Sequence, residues 1–159
     1  MNHVMNKKLL IVWHTQGVKT AQMAEAVARG ARAAAEGDPL EVVLKRAAEA
    51  GVDDLLGCQG LIVGTPENFG YMAGMVKDFF DRVYYPCEGK LDALPYSVFV
   101  CAGNDGSGAM FNVDRIATGL KLKKVHAGVI AKKEITAEVL AQCEELGATL
   151  AAGIAMGIF

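Results

Sequence analysis

Three short stretches hold the residues whose types and spacing could do chemistry, and none of them requires an acid, a base or a nucleophile. The first is Thr15-Gln16-Gly17-Val18-Lys19-Thr20, which leads straight into a helical pattern. Two hydroxyls, a glycine and a lysine precede free backbone N–H groups at a helix start. That arrangement suits a phosphate, because orphan donors and the helix dipole both favour an anion. The dipole alone contributes roughly 0.3–1 kcal/mol, so hydroxyl and amide hydrogen bonds must supply most of the grip. The same residues also suit an ordinary N-cap at Thr20 with Thr15 in a polar turn.

The second stretch runs from Gly64 to Gly74 and contains Pro66, Glu67, Asn68, Phe69, Gly70 and Tyr71. An aromatic-rich, glycine-rich turn offers a flat heteroaromatic ring an apolar face and backbone polar groups at its edge. Burying roughly 200 Å² of ring at about 25 cal/mol per Å² contributes on the order of 5 kcal/mol. The alternative is that Phe69 and Tyr71 cover the core. The third stretch is Ala102-Gly103-Asn104-Asp105-Gly106-Ser107-Gly108, whose glycines let backbone approach a ligand. It also reads as an Asp-Gly turn into a helix capped by Ser107. One such loop is weak; three on one end of a sheet make a site.

The elements that must position these loops alternate in type. Leu9–Trp13 reads as a buried strand and Thr20–Glu36 as a helix, stopped by Gly37-Asp38-Pro39. Leu40–Lys45 is a second strand and Asp53–Leu56 a single helical turn. Leu61–Val63 is a third strand ending at Gly64-Thr65-Pro66. Met72, Met75, Val76, Phe79, Phe80 and Val83 stripe the next helix, which Pro86 ends. Tyr96–Cys101 is a fourth strand, Ser107–Leu120 a helix and Val125–Ile130 a fifth strand. Thr136 caps a last helix that turns Val139, Leu140, Cys143, Leu146 and Leu150 inward. Five strands buried on both faces and separated by helices specify an α/β doubly wound parallel sheet with right-handed crossovers. Ligands of such sheets sit beyond the carboxyl ends of the strands, where these three loops fall.

The bulk properties fit one domain: 159 residues, 52% of them hydrophobic, are enough for a two-faced core. Sixteen basic residues stand against 18 acidic ones, so no basic stripe suits nucleic acid. The four cysteines form no CxxC pair and read as reduced thiols, and three histidines leave little for a metal site. Neither end reads as an export signal or a membrane span, and the expected location is the cytoplasm. No cysteine is followed six positions later by arginine, as a phosphatase loop requires. GxSxG, a GxGxxG after the first strand and GxxxxGK[ST] are all missing. A phosphorylated receiver would need acidic residues ending strands one and three, where Trp13-His14 and Gly64-Thr65 stand.

Taken together, the loops resemble those of the flavodoxin family, in its short NAD(P)H-dependent-reductase-like members. The most specific part is Gly64-Thr65-Pro66-Glu67-Asn68-Phe69-Gly70-Tyr71-Met72 running on to Lys77-Asp78-Phe79-Phe80-Asp81-Arg82. Ala102-Gly103-Asn104-Asp105-Gly106 is similar to the family's third loop, and Ile11–Thr15 with Thr20 and Met23-Ala24 to its first. The first loop departs from the family's Ser/Thr-x-Thr-Gly-x-Thr pattern, with Gly17 and Val18 where Thr and Gly are expected.

The resemblance implies a flavodoxin-like sheet in the order 2-1-3-4-5. It implies FMN with its phosphate on residues 15–20 and its ring between residues 66–71 and 102–106. It places backbone groups of Asn68–Gly70 at the flavin N5 and Gly103–Asp105 at the pyrimidine edge, where Asp105 either disfavours an anionic reduced flavin or points to solvent. NAD(P)H as electron donor, a quinone or other small molecule as acceptor, and a homodimer or higher homo-oligomer are further expectations of the resemblance. An electron carrier for protein partners is the second reading and a flavin-free binding module the third. Carriers steer by strong negative surfaces, to which a formal charge of −2 is a poor fit.

Overall fold

The structure is a computed structural model and describes residues 6–159. Its strands are β1 (Lys7–Trp13), β2 (Leu40–Arg46), β3 (Gly60–Asn68), β4 (Tyr71–Met72), β5 (Pro95–Ala102), β6 (Lys123–Lys124) and β7 (Val129–Lys132). Its helices are α1 (Lys19–Ala34), α2 (Val52–Leu56), α3 (Gly74–Cys87), α4 (Ser107–Gly119) and α5 (Ala137–Met156). Strand order is β2-β1-β3-β5, with β6 and β7 both on the far edge of β5, and every one of these pairings is parallel. This is the 2-1-3-4-5 order expected for a flavodoxin-like sheet.

Among the described residues the strand count is seven rather than five, for two local reasons. The expected fifth strand is broken: β6 and β7 flank a turn at Val125–Gly128, where the Gly128 N–H donates to His126 Nδ1 at 2.9 Å. Gly128 has φ +86°, which cannot continue a strand, and a Cβ there would lie 2.4 Å from the Val98 carbonyl oxygen. The second departure lies in the third strand, which runs past Val63 to Asn68 and folds back as β4, an antiparallel pairing of Glu67 with Met72 and Asn68 with Tyr71. Pro66, Glu67 and Asn68 are therefore strand residues, not loop. Pro86 lies inside α3, one residue before its end.

Alternation along the strands builds two cores. Leu10, Val12, Leu61, Val63, Val98 and Val100 face α3 and α4, while Leu9, Ile11, Ile62 and Phe99 face α1 and α5. Both faces being covered, the polar work is left to the carboxyl ends of β1, β3 and β5, which are adjacent in the sheet.

Candidate functional site

At the end of β1 the chain enters α1 without a side-chain cap. The N-cap position is Val18, with no capping hydrogen bond, and the first helical bond is Gln22 N–H on the Val18 carbonyl at 2.9 Å. The N–H groups ahead of Gln22 in that turn thus have no acceptor among the described residues. Thr20, expected as cap, is instead the second helical residue and is buried. Its hydroxyl lies beside the Cys101 thiol near the end of β5. Thr15 Oγ1 donates to the Gly17 carbonyl at 2.7 Å, closing the turn, while Gln16, Gly17, Val18 and Lys19 are exposed. The Lys19 ammonium donates to the Lys133 carbonyl just past β7. This rim is electropositive and has free donors, which is what an anion needs.

The second stretch is a two-residue hairpin between β3 and β4. Phe69 and Gly70 are its central residues, with φ +54° and +71°, as a type I′ turn demands. Gly70 adopts this freely, whereas a phenylalanine at positive φ is a true outlier and a sign of function. Phe69 is also fully exposed, at 106% of its reference area. An aromatic ring held in a strained backbone and given nothing to cover is shaped for a ligand. At the base of the hairpin, Thr65 Oγ1 accepts the Ala73 N–H at 2.9 Å and donates to the Pro66 carbonyl at 2.8 Å.

The third stretch closes against the hairpin. Gly108, in the first turn of α4, sits where a Cβ would come 2.1 Å from the Gly70 carbonyl oxygen. Glu67 bridges the same gap: its carboxylate accepts the Gly106 N–H at 3.0 Å and the Ala109 N–H at 3.1 Å. Asp105 accepts the Ser107 hydroxyl and, at 3.3 Å, the Ser107 N–H, and this bonding holds its carboxyl below the usual range. A cleft of about 530 Å³ opens between the two loops, lined by Glu67, Phe69, Gly70, Gly103, Asn104 and Asp105 together with the start of α4. Ala102 and Gly106 are buried beneath it, while Gly103 has open space where a Cβ would be.

Sequence reasoning missed several residues here. Arg46 stacks on the Trp13 ring at 4.6 Å, and the Trp13 indole N–H is buried without a partner among the described residues. His14, beside them, is held below its ordinary pKa by burial and by the Arg46 charge, so it is neutral at pH 7. Burial likewise pushes the Cys101 thiol up and keeps it protonated. Trp13, His14 and Cys101 lie at strand ends, where the rule for such sheets points, but Lys133 gave no sequence signal. All three stretches stand at one rim, with loops two and three sharing the cleft and loop one beside it. The residues together suit a ligand with an anionic end and a flat body.

Comparison with known proteins decides the family. The chain is 32% identical over 165 residues to a flavodoxin of Aquifex aeolicus, an alignment covering 94% of this chain and 88% of the relative. The chain belongs to the flavodoxin family. It is also 34% identical over 119 residues to an NAD(P)H dehydrogenase (quinone) of Acidithiobacillus ferrooxidans, which covers 64% of this chain; the match spans 60% of that relative's length. Among solved structures, an archaeal flavodoxin superposes with a TM-score of 0.78 at 18% identity, covering 92% of this chain and 98% of the other. A flavodoxin, WrbA-like protein from Agrobacterium tumefaciens gives 0.76 at 20% identity, covering 96% and 99%. At these identities the superpositions speak for the flavodoxin fold alone. No protein-family model matches the chain.

Proposed function

We propose that this flavodoxin-family protein binds FMN at the rim of β1, β3 and β5 and is an oxidoreductase that takes electrons from NAD(P)H and delivers them to a quinone or another small acceptor. The observation that carries the reading is the pairing, at one sheet edge, of an uncapped helix start with an exposed, strained phenylalanine over a cleft. The first suits a phosphate and the second a flat ring, and FMN has both in one molecule. The cofactor supplies hydride acceptance and onward electron transfer when bound; the protein supplies position and electrostatics.

In this reading the stretch Thr15, Gln16, Gly17, Val18, Lys19 and Thr20 holds the phosphate, through backbone N–H groups and the Lys19 charge. Pro66, Asn68, Phe69 and Gly70 wall one side of the ring, and Ala102, Gly103, Asn104 and Asp105 wall the other. Glu67 and Gly106 fix the distance between the walls. Phe69 excludes water from the ring face it covers. The NAD(P)H dehydrogenase (quinone) relative supports the reductase activity.

The flavodoxin relative, aligned over 94% of the chain, favours a second reading as an electron carrier for protein partners. One experiment separates the two. NADPH or NADH is added anaerobically to the FMN-loaded protein with no other protein present. Bleaching of the flavin absorbance within catalytic times supports the reductase. Bleaching only after a partner reductase is supplied supports the carrier and rejects the first reading.

A further inference from the structure

Two helix starts face this rim, and they are treated differently. The first turn of α1 keeps its N–H groups free among the described residues, and the Lys19 ammonium belongs to the same turn. The first turn of α4 has two carboxylates already on it. Glu67 takes the Gly106 and Ala109 N–H groups at 3.0 and 3.1 Å, and Asp105 takes the Ser107 N–H at 3.3 Å, with Lys132 as the cation facing Asp105. A helix start with free donors attracts anions, and one occupied by an internal carboxylate repels them.

We propose that Glu67 sets the orientation of the cofactor by filling the anion site at the start of α4 and clamping the ring-binding cleft at a fixed width. This inference rests on the reading of the rim as an FMN site. Glu67 is a positioning residue rather than a ligand contact. Its carboxylate spans from β3 to α4, and the contact of Gly108 with the Gly70 carbonyl locks the hairpin tip to the same helix turn. With Glu67 in place the phosphate has one helix start to choose. Without it the Gly106 and Ala109 N–H groups are freed as a second choice, and the ring-binding gap loses a tie made before any ligand arrives.

The test uses two probes that read the two roles separately. The first is inorganic phosphate titrated into the ligand-free, isotope-labelled protein and followed by amide resonances. In the wild type, phosphate should move amides of residues 16–21 and leave Gly106 and Ala109 still. In Glu67→Ala, the Gly106 and Ala109 amides should move as well, and Glu67→Gln, which frees one of the two donors, should respond at one amide of the pair. The second probe is riboflavin beside FMN, by fluorescence quenching. Glu67→Gln should weaken both by the same factor, roughly tenfold, the value of one charge-assisted hydrogen bond. Lys19→Ala should weaken FMN alone. Phosphate shifts at Gly106 and Ala109 in the wild type, or none there in either Glu67 variant, would overturn the proposal. A wild type that takes up neither flavin rejects the FMN reading, while the phosphate titration still decides the role of Glu67.

Discussion

Replacing Phe69 by glycine should separate the stability of the fold from its affinity for a flavin. Phe69 is fully exposed and sits at φ +54°, so in the ligand-free protein its ring stabilises nothing and its backbone is strained. A left-handed conformation costs a residue with a Cβ roughly 1–2 kcal/mol, which glycine avoids. Glycine loses more chain entropy on folding, about 0.5–1 kcal/mol. The difference leaves the ligand-free variant between neutral and about 1.5 kcal/mol more stable, a rise in Tm of no more than about 3–6 °C at this size. Binding should move the other way. Covering a phenylalanine side chain is worth about 1.5–3 kcal/mol, so the variant's Kd for FMN should rise roughly ten- to a hundredfold. The assay pairs a thermal melt of ligand-free protein with FMN titration followed by flavin fluorescence. Affinity within a factor of two of wild type would refute the assignment of Phe69 to the ring. A melt lowered by several degrees would refute the claim that its backbone is strained.

Other perturbations act on separate parts of the same account. Gly103→Asp adds a side chain where nothing lies within 4 Å, so Tm should hold while the new carboxylate in the cleft weakens FMN at least tenfold by titration. Gly108→Ala forces a methyl group to 2.1 Å from the Gly70 carbonyl, and should cost about 1–3 kcal/mol in denaturant unfolding while loosening the hairpin tip. Asp54 is pushed up by partial burial but held below the usual carboxylate range by the Lys45 ammonium at 2.7 Å and the Gly51 N–H at 2.9 Å. A depressed folded pKa gives stability that is present above the unfolded value and lost as pH falls through the folded one. Asp54→Asn should therefore cost about 1 kcal/mol near pH 7, and its deficit should shrink in melts as pH falls below the ordinary carboxylate value of about 4.

Much of this was legible in the chain because the signals were local. Apolar runs such as Leu9–Val12 and Leu61–Val63 announced buried parallel strands, and the loops following them had to share an end of the sheet. What escaped was tertiary. The hairpin at Phe69-Gly70 has its asparagine one place early for a typical Asn-Gly turn, so the sequence read as loop where the chain makes β4. The broken last strand depends on Gly128 meeting the Val98 carbonyl from a neighbouring strand, a contact no local pattern encodes. Val18, an apolar N-cap, breaks the preference for Ser, Thr, Asp or Asn, and moved the expected helix start to Thr20. Glu67 looked like a polar residue in a ligand loop. Its partners, Gly106 and Ala109, lie about forty positions on.

The central claim, that the carboxyl ends of β1, β3 and β5 form one FMN site, is tested most directly by titrating FMN into labelled protein and mapping the amide shifts. The account predicts saturable shifts confined to residues 15–20, 67–70 and 102–106. The opposite end of the sheet offers a rival cavity of about 360 Å³ near Lys7, Gln59, Lys90 and Phe159. Shifts centred there, or no shifts in well-folded protein at saturating FMN, would contradict it.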